Sequence, residues 1–402
     1  MRRQRPELPL VTHSERQTAA CPARWLMRYG LGLRRPELSP ALYVGSLVHA
    51  GIEALTAGLA HDQRRPQHWS LSSASTAIRR EAARWMQETV SMRGGIALSD
   101  EELTQVDAMT WQADRLLRSY HDRYCAEADW LEIENELSFD VRLRQPVTYG
   151  RIPARLGGRI DRVVQRGGQL WIVETKTTSL PLAEWIERHR RSPQAATYAV
   201  ALAAAGRPHI VGVIYDLIQS RPPKAAIDLE VVKAGSRLAK PSGLPWTTAG
   251  SFLGAVTALS QDLDSVDWYR DVHERLMERD QSGFWMRRET LRFEERELYR
   301  ARVELETDLR RHARWRRLVE TYQAPVVSAQ LSERDAGTIA AILRGSVEDF
   351  PRQPSLCWQY NRLCSYAALC ASHSAEDLSP YVMTGSSHGH DELSASSIED
   401  EP

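Results

Sequence analysis

Residues 158–178 read GRIDRVVQRGGQLWIVETKTT, and their alternation decides the fold. Two apolar, β-branched runs flank Arg166-Gly167-Gly168, a turn signal, so the stretch predicts a β-hairpin. Upstream, residues 130–146 also alternate apolar and polar, giving a three-stranded meander. Downstream, PLAEWIERHRRSPQAATYAVALAAAG is alanine-rich and predicts one long helix stopping at Gly206. HIVGVIYDLIQS follows with the continuous apolar character of a buried strand. A meander, a helix and a further strand predict an α/β core over 130–235.

Within the hairpin, strand alternation puts Glu174 and Lys176 on one face with Thr175 opposite. With Asp161 on the neighbouring strand, the two carboxylates converge. Held together, they repel unless a cation lies between them, and oxygen ligands select hard divalent ions such as Mg²⁺ or Mn²⁺. Such an ion acidifies a water and offsets charge developing on a phosphodiester, while an adjacent lysine orients the nucleophile. The combination predicts phosphodiester hydrolysis. The plainer reading is a surface hairpin carrying an ordinary Glu/Lys pair. Against it, LWIV is too apolar for a solvated edge, and this is the sole acid-x-Lys triplet in a chain with four lysines, Lys176, Lys224, Lys233 and Lys240.

The 402 residues carry 52 Lys+Arg and 52 Asp+Glu, a net charge of zero that taken alone argues against a polyanionic partner. The charge is segregated. Residues 373–402 hold seven acidic residues and no Lys or Arg, so the body keeps a surplus of seven positive charges, nearly all arginine. The tail, with His373, His388 and His390, is poor in apolar residues and predicts disorder. No apolar run is long enough to span a bilayer, and the Arg-rich start lacks a signal-peptide core, which predicts a cytoplasmic protein.

Around the core, a helix from Gly45 to Ala60 carries Val48, Ile52, Leu55 and Leu59 as its apolar face, and two more helices are expected near 75–93 and 102–125. Residues 236–280 look like an insertion packed on the same core. The charge-dense stretch Glu289 to Arg317 reads as a solvated surface helix with Leu298, Ala301, Leu305 and Leu309 as its stripe. The expected organisation is an N-terminal region (1–129), the core (130–235), a helical insertion with the C-terminal region (236–372) and the tail (373–402).

Asp161 followed by Glu174-Thr175-Lys176 resembles the PD-(D/E)XK nuclease superfamily, specifically its RecB-like exonuclease branch. Ile160 stands where the superfamily's name has proline, a departure this branch shares. The resemblance implies a restriction-endonuclease-like core, a mixed β-sheet flanked by helices with large helical additions. It also gives roles to further positions. GSLVH matches the branch's Gly-x-x-x-His helix, making His49 a metal ligand beside Asp161 and Glu174. Gln194 and Tyr198 match its Gln-x-x-x-Tyr helix and would contact the DNA strand. Glu136 falls at an acidic position often found before the hairpin, as an outer metal ligand or an exposed strand glutamate.

The group that includes AddB and the CRISPR-adaptation exonucleases brackets this core with one N-terminal and three C-terminal cysteines holding a four-iron four-sulfur cluster. Cys21, Cys357, Cys364 and Cys370 are the matching residues, although the spacing after Cys357 is wider than usual. Four thiolates fit that cluster or zinc equally. Cys125 remains as a buried thiol. The expected activity is a Mg²⁺- or Mn²⁺-dependent exonuclease acting at DNA ends in recombination, repair or processing, of a kind carried by phages and mobile elements. The alternatives are a non-cleaving adaptor that keeps the fold, or a cluster protein serving a helicase, since the chain has no phosphate-binding Gly-x-x-x-x-Gly-Lys-Ser/Thr loop of its own.

Overall fold

In the computed structural model of the chain, the described residues are 8–36, 40–57, 70–125, 129–144, 146–189, 192–232, 237–322, 324, 331–359 and 362–384. The hairpin is the centre of a six-stranded mixed sheet: β1 (Leu10–Val11), β2 (Leu131–Val141), β3 (Arg155–Arg166), β4 (Gln169–Thr178), β5 (Ile210–Gln219) and β6 (Met286–Arg292). The order is β1-β3-β4-β5-β6, and β2 pairs antiparallel with β3. Gly167 and Gly168, both at positive φ, make the two-residue turn between Arg166 and Gln169 that the right-handed strand twist requires. β5 runs parallel to β4, reached through α5 (Leu182–His189) and α6 (Pro193–Ala204), and β6 returns antiparallel. The α/β expectation is met, as a mixed sheet flanked by helices.

Three helical groups cover the sheet. The helices α2 (Pro40–Thr56), α3 (Leu71–Met92) and α4 (Asp100–Tyr124) share a core that reaches the sheet at Ile218 and Met286. Val48, Ile52 and Leu55 are buried there as expected, while Leu59 lies outside the described residues. α6 and α9 (Glu295–Glu320) close another face through Ala199, Leu202, Leu305, Leu309 and Ala313. A third cluster joins Trp25–Leu33, Trp315 of α9, and residues 336–383. No helix among the described residues is long and apolar enough to cross a membrane.

Several expectations are corrected. The long helix after the hairpin is two, because Pro193 takes the first position of α6, where its missing N–H is harmless, and Ser192 caps it. The helix expected from Glu289 starts only at Glu295, because residues 286–292 form edge strand β6 although MRRETLR is mostly polar. The stretch after it, α9, is not a solvated surface helix: Leu305, Glu306, Leu309, His312 and Trp315 are buried. Glu306 survives burial because it is partnered, accepting from the Val147 and Thr148 amides at 2.9 and 3.0 Å. His312 lies 3.2 Å from the Glu15 carboxylate, a close contact whose geometry is not a hydrogen bond. The insertion does not share the main core. Leu238, Phe252, Val256, Tyr269 and Leu276 build a small cluster of their own between α7 (Ala249–Ala258) and α8 (Tyr269–Gln281). The tail is ordered past 373: His373 ends the short helix Ala367–Ser372 in a left-handed conformation, and Val382–Met383 pair with Leu33–Arg34. His388 and His390 lie outside the described residues.

Behind the hairpin the sheet buries charge. Arg162, 1% exposed, meets Asp216 at 2.6 Å, the Tyr120 hydroxyl at 3.1 Å and Glu132 at 3.5 Å, and Arg288 adds a 2.6 Å contact to Asp216. Two guanidinium groups and two carboxylates balance, which is what makes such burial tolerable. The network locks the register of β3 against β5 on the face opposite Asp161.

Candidate active site

The site grows from a gap in the ladder. β3 pairs with β4 only over 162–166 and with β1 only at 155–156, on the same side. Between those pairings stands Asp161, and its carboxylate accepts the Thr175 backbone N–H at 2.8 Å, where a strand partner's carbonyl would otherwise sit. On the other side, β2 passes Asp161 with Glu136, which lies between the pairs Asn135↔Arg162 and Leu137↔Ile160. Glu136 holds φ at +50°, a strained backbone for a residue with a Cβ, and its side chain is 10% exposed with Arg159 at 2.6 Å. The exposed-strand alternative for Glu136 is therefore wrong. Three acidic residues, Glu136, Asp161 and Glu174, sit abreast on three adjacent strands.

The helices complete the cleft, which encloses about 830 Å³ and is lined by His49, Glu53, Glu136, Asp161, Glu174 and Lys176 among others. Gly45 lets α2 lie against the end of β4, since a Cβ there would sit 3.2 Å from the Thr177 hydroxyl. One turn later, His49 Nδ1 is 3.5 Å from Asp161. Gln194 donates to Glu174 Oε1 at 2.8 Å and to the Tyr198 hydroxyl at 3.2 Å, so the Gln-x-x-x-Tyr face of α6 holds the carboxylate in place. Tyr198 is buried edge-on against Phe139. Lys176 Nζ is 2.5 Å from the same Glu174 oxygen, while the other, Oε2, is buried without a hydrogen-bond partner.

Electrostatics follow from this crowding. Burial and the neighbouring Asp161 push the Glu136 carboxyl up to about 8. Burial, with Asp161 adding to it, raises Glu174 to about 7 even though Lys176 opposes the shift. Lys176 is driven up by Glu174 and Asp161 against its own burial and stays charged. Burial lowers His49 below its usual value, so its ring is neutral and able to ligate. Among the described residues no three His, Cys, Asp or Glu side chains are already gathered around one point as an ion's ligands. The donor set nevertheless fits a hard divalent cation: crowded carboxylates, one with an orphaned buried oxygen, beside a neutral imidazole. Sequence reasoning missed Glu53, Arg159 and His13 at this cleft. Thr12-x-x-Glu15 does signal a helix start at His13, but nothing local says what the helix faces.

The cysteines stand apart from the cleft. Cys21 precedes the short helix Pro22–Trp25, whose Ala23 N–H reaches the Pro351 carbonyl, and the Cys364 N–H donates to the Cys357 carbonyl at 2.7 Å. Burial, then the thiols of Cys21 and Cys357, push the Cys370 thiol up, so chain ends more than 300 positions apart share one neighbourhood. All five cysteines are free, and Cys125 is half-buried at the end of α4.

No curated protein matches the chain. A family profile described as the PD-(D/E)XK nuclease superfamily does, over residues 13–371, a span that includes the whole sheet except β1 and every residue of the cleft from His13 to Tyr198. With an acid on the inner strand, Glu-x-Lys on the next and a mixed sheet between helices, the chain belongs to the PD-(D/E)XK nuclease superfamily.

Proposed function

We propose that this chain is a Mg²⁺- or Mn²⁺-dependent deoxyribonuclease that hydrolyses phosphodiester bonds at DNA ends, an exonuclease of RecB-like type. The observation that carries the reading is the row of Glu136, Asp161 and Glu174 with Lys176 on the same cleft wall. His49, Asp161 and Glu174 would hold the ion. When bound, it lowers the pKa of water and offsets charge on the phosphodiester. Lys176 would orient the attacking water and donate toward the phosphate, and Gln194 holds Glu174 Oε1, which leaves Oε2 unpartnered and able to ligate. Gln194 and Tyr198 border the path of the strand. Walls from α1 (His13–Thr18), α2, α3 and α6 around the cleft support a single strand near an end as substrate. Cleavage of end-labelled linear DNA but not of closed circular DNA, in Mg²⁺ or Mn²⁺ and not in EDTA, is the expected result. Equal cleavage of circles would reject the exonuclease reading and leave the nuclease reading intact.

The four cysteines, Cys21, Cys357, Cys364 and Cys370, we assign to a four-iron four-sulfur cluster with zinc as the alternative, a clamp between the chain ends. The nearness of Cys21, Cys357 and Cys364 to Cys370 supports the assignment, although among the described residues no three of these thiols are gathered around one point. Anaerobic purification followed by an absorbance spectrum and iron and zinc analysis tests it, and protein free of both metals would reject it. A role in DNA recombination or repair, beside a helicase that supplies the motor, rests on the resemblance alone.

A further inference from the structure

One side chain of the cleft is unused by the metal and lysine chemistry. His13 is the first residue of α1 and lines the cleft together with Lys176, Gln194 and Tyr198. It is 7% exposed, and neither ring nitrogen has a hydrogen-bond partner. Buried polar groups in native proteins are nearly always paired, so two orphaned nitrogens turned on a cleft mark a group whose partner arrives with a ligand. The ring packs edge-on against Tyr198 at 6.1 Å. Burial, with Arg16 and Lys176 adding to it, lowers the His13 pKa to about 3, which leaves a neutral imidazole with one donor and one acceptor.

Its placement is fixed at some expense. A six-residue helix has no stability of its own. Here Glu15, fully buried, accepts from Trp25 Nε1 at 3.0 Å and from Arg316 at 2.9 Å, and Arg16 reaches Asp308 at 2.9 Å and the Thr197 hydroxyl at 3.0 Å. Thr197 neighbours Tyr198 on α6. The residues after His13 therefore tie its helix both to α9 and to the helix that positions Glu174.

We propose that His13 contacts the substrate directly, donating its ring N–H to a non-bridging oxygen of a backbone phosphate on the Tyr198 side of the cleft. The inference rests on the nuclease reading above. A strand in this cleft meets acidic groups at Glu53, Glu81, Glu136, Asp161 and Glu174, so its phosphates need donors elsewhere on the wall. Lys176, Arg84 and Arg159 already line the cleft, and a further cation would be repelled by them, whereas a neutral imidazole supplies a donor without that penalty.

The test compares wild type, His13→Ala and His13→Gln on an end-labelled oligonucleotide in Mg²⁺, with single phosphates near the labelled end replaced one at a time by neutral methylphosphonate. A hydrogen bond to a charged oxygen predicts a loss in kcat/KM of about 10- to 100-fold for His13→Ala and partial recovery in His13→Gln. At one position the methylphosphonate slows wild type but adds nothing to the loss in His13→Ala. Thermal unfolding checks that the variants fold, and His13→Phe takes the place of His13→Ala if the latter does not. Wild-type kinetics in the variant, or a loss of equal size at every methylphosphonate position, overturns the assignment while the nuclease reading stands. A wild-type protein that cleaves nothing overturns both.

Discussion

Replacing Glu174 with Gln removes one charge from the row of acids and changes little else. Glu174 is 2% exposed, shares Oε1 between Lys176 and Gln194, and leaves Oε2 unpartnered beside Asp161. Its pKa rises from 4.5 to about 7, through burial first and Asp161 second. Between those values the native chain holds a proton that the unfolded chain has released. Stability is therefore present in full below the lower value and is lost as pH rises through the upper one. At 1.36 kcal/mol per unit, the ionised Glu174 costs the metal-free protein at most about 3 kcal/mol at pH 8 and nearly nothing at pH 4. Gln cannot ionise and keeps an acceptor for Lys176, whose side chain, 30% exposed, also retains water and the nearby Asp161. Urea unfolding in EDTA across this pH range should show Glu174→Gln pulling ahead of wild type as pH rises. Added Mg²⁺ should then stabilise wild type and not the variant. A stability difference that ignores pH, or a variant weaker than wild type at pH 8, would refute the electrostatic account of the site.

Asp216→Asn should destabilise by about 3–5 kcal/mol in urea unfolding, because it leaves Arg162 and Arg288 buried beside Glu132 alone; a loss below about 1 kcal/mol would mean that the network is open to water. Gly158→Ala places a Cβ 2.6 Å from Phe139 and 3.2 Å from Tyr198, and should slow cleavage by displacing the Gln194 helix, with a fall in Tm of several degrees; unchanged rate and Tm would contradict the packing. Removing residues 385–402 takes away five of the seven tail acids and should raise DNA affinity at low salt, whereas cutting at 373 also strips Leu378, Tyr381 and the Val382–Met383 strand and should destabilise the third core; equal Tm for both truncations would reject the second half.

The hairpin was legible because strand alternation is a strict period, which put Glu174 and Lys176 on one face, and the scarcity of lysine weighed against an ordinary surface pair. His49 was singled out only by the resemblance to a Gly-x-x-x-His helix, and the missing Cβ of Gly45 is what brings that helix to Thr177. What escaped was set by tertiary partners. The polar MRRETLR forms an edge strand because β5 offers a ladder, and α9 buries Glu306 and His312 because residues 147–148 and Glu15 meet them. Burial does not alter the charge tally: Arg162 and Arg288 lie opposite the cleft with Glu132 and Asp216, so that network cancels and the body keeps its surplus of seven. His13 carried a helix-start signal but no functional one, since a lone histidine gains meaning only from what surrounds it.

A metal-dependent hydrolytic centre built on Asp161, Glu174 and Lys176 needs both the ion and each of these side chains. The decisive assay incubates end-labelled linear DNA with wild type, Asp161→Ala and Lys176→Ala, each checked for folding, in EDTA, Mg²⁺ and Mn²⁺. Wild type should cleave with either metal and not in EDTA, and both folded variants should lose activity. Wild-type cleavage rates in either variant, or cleavage that persists in EDTA, would rule such a centre out.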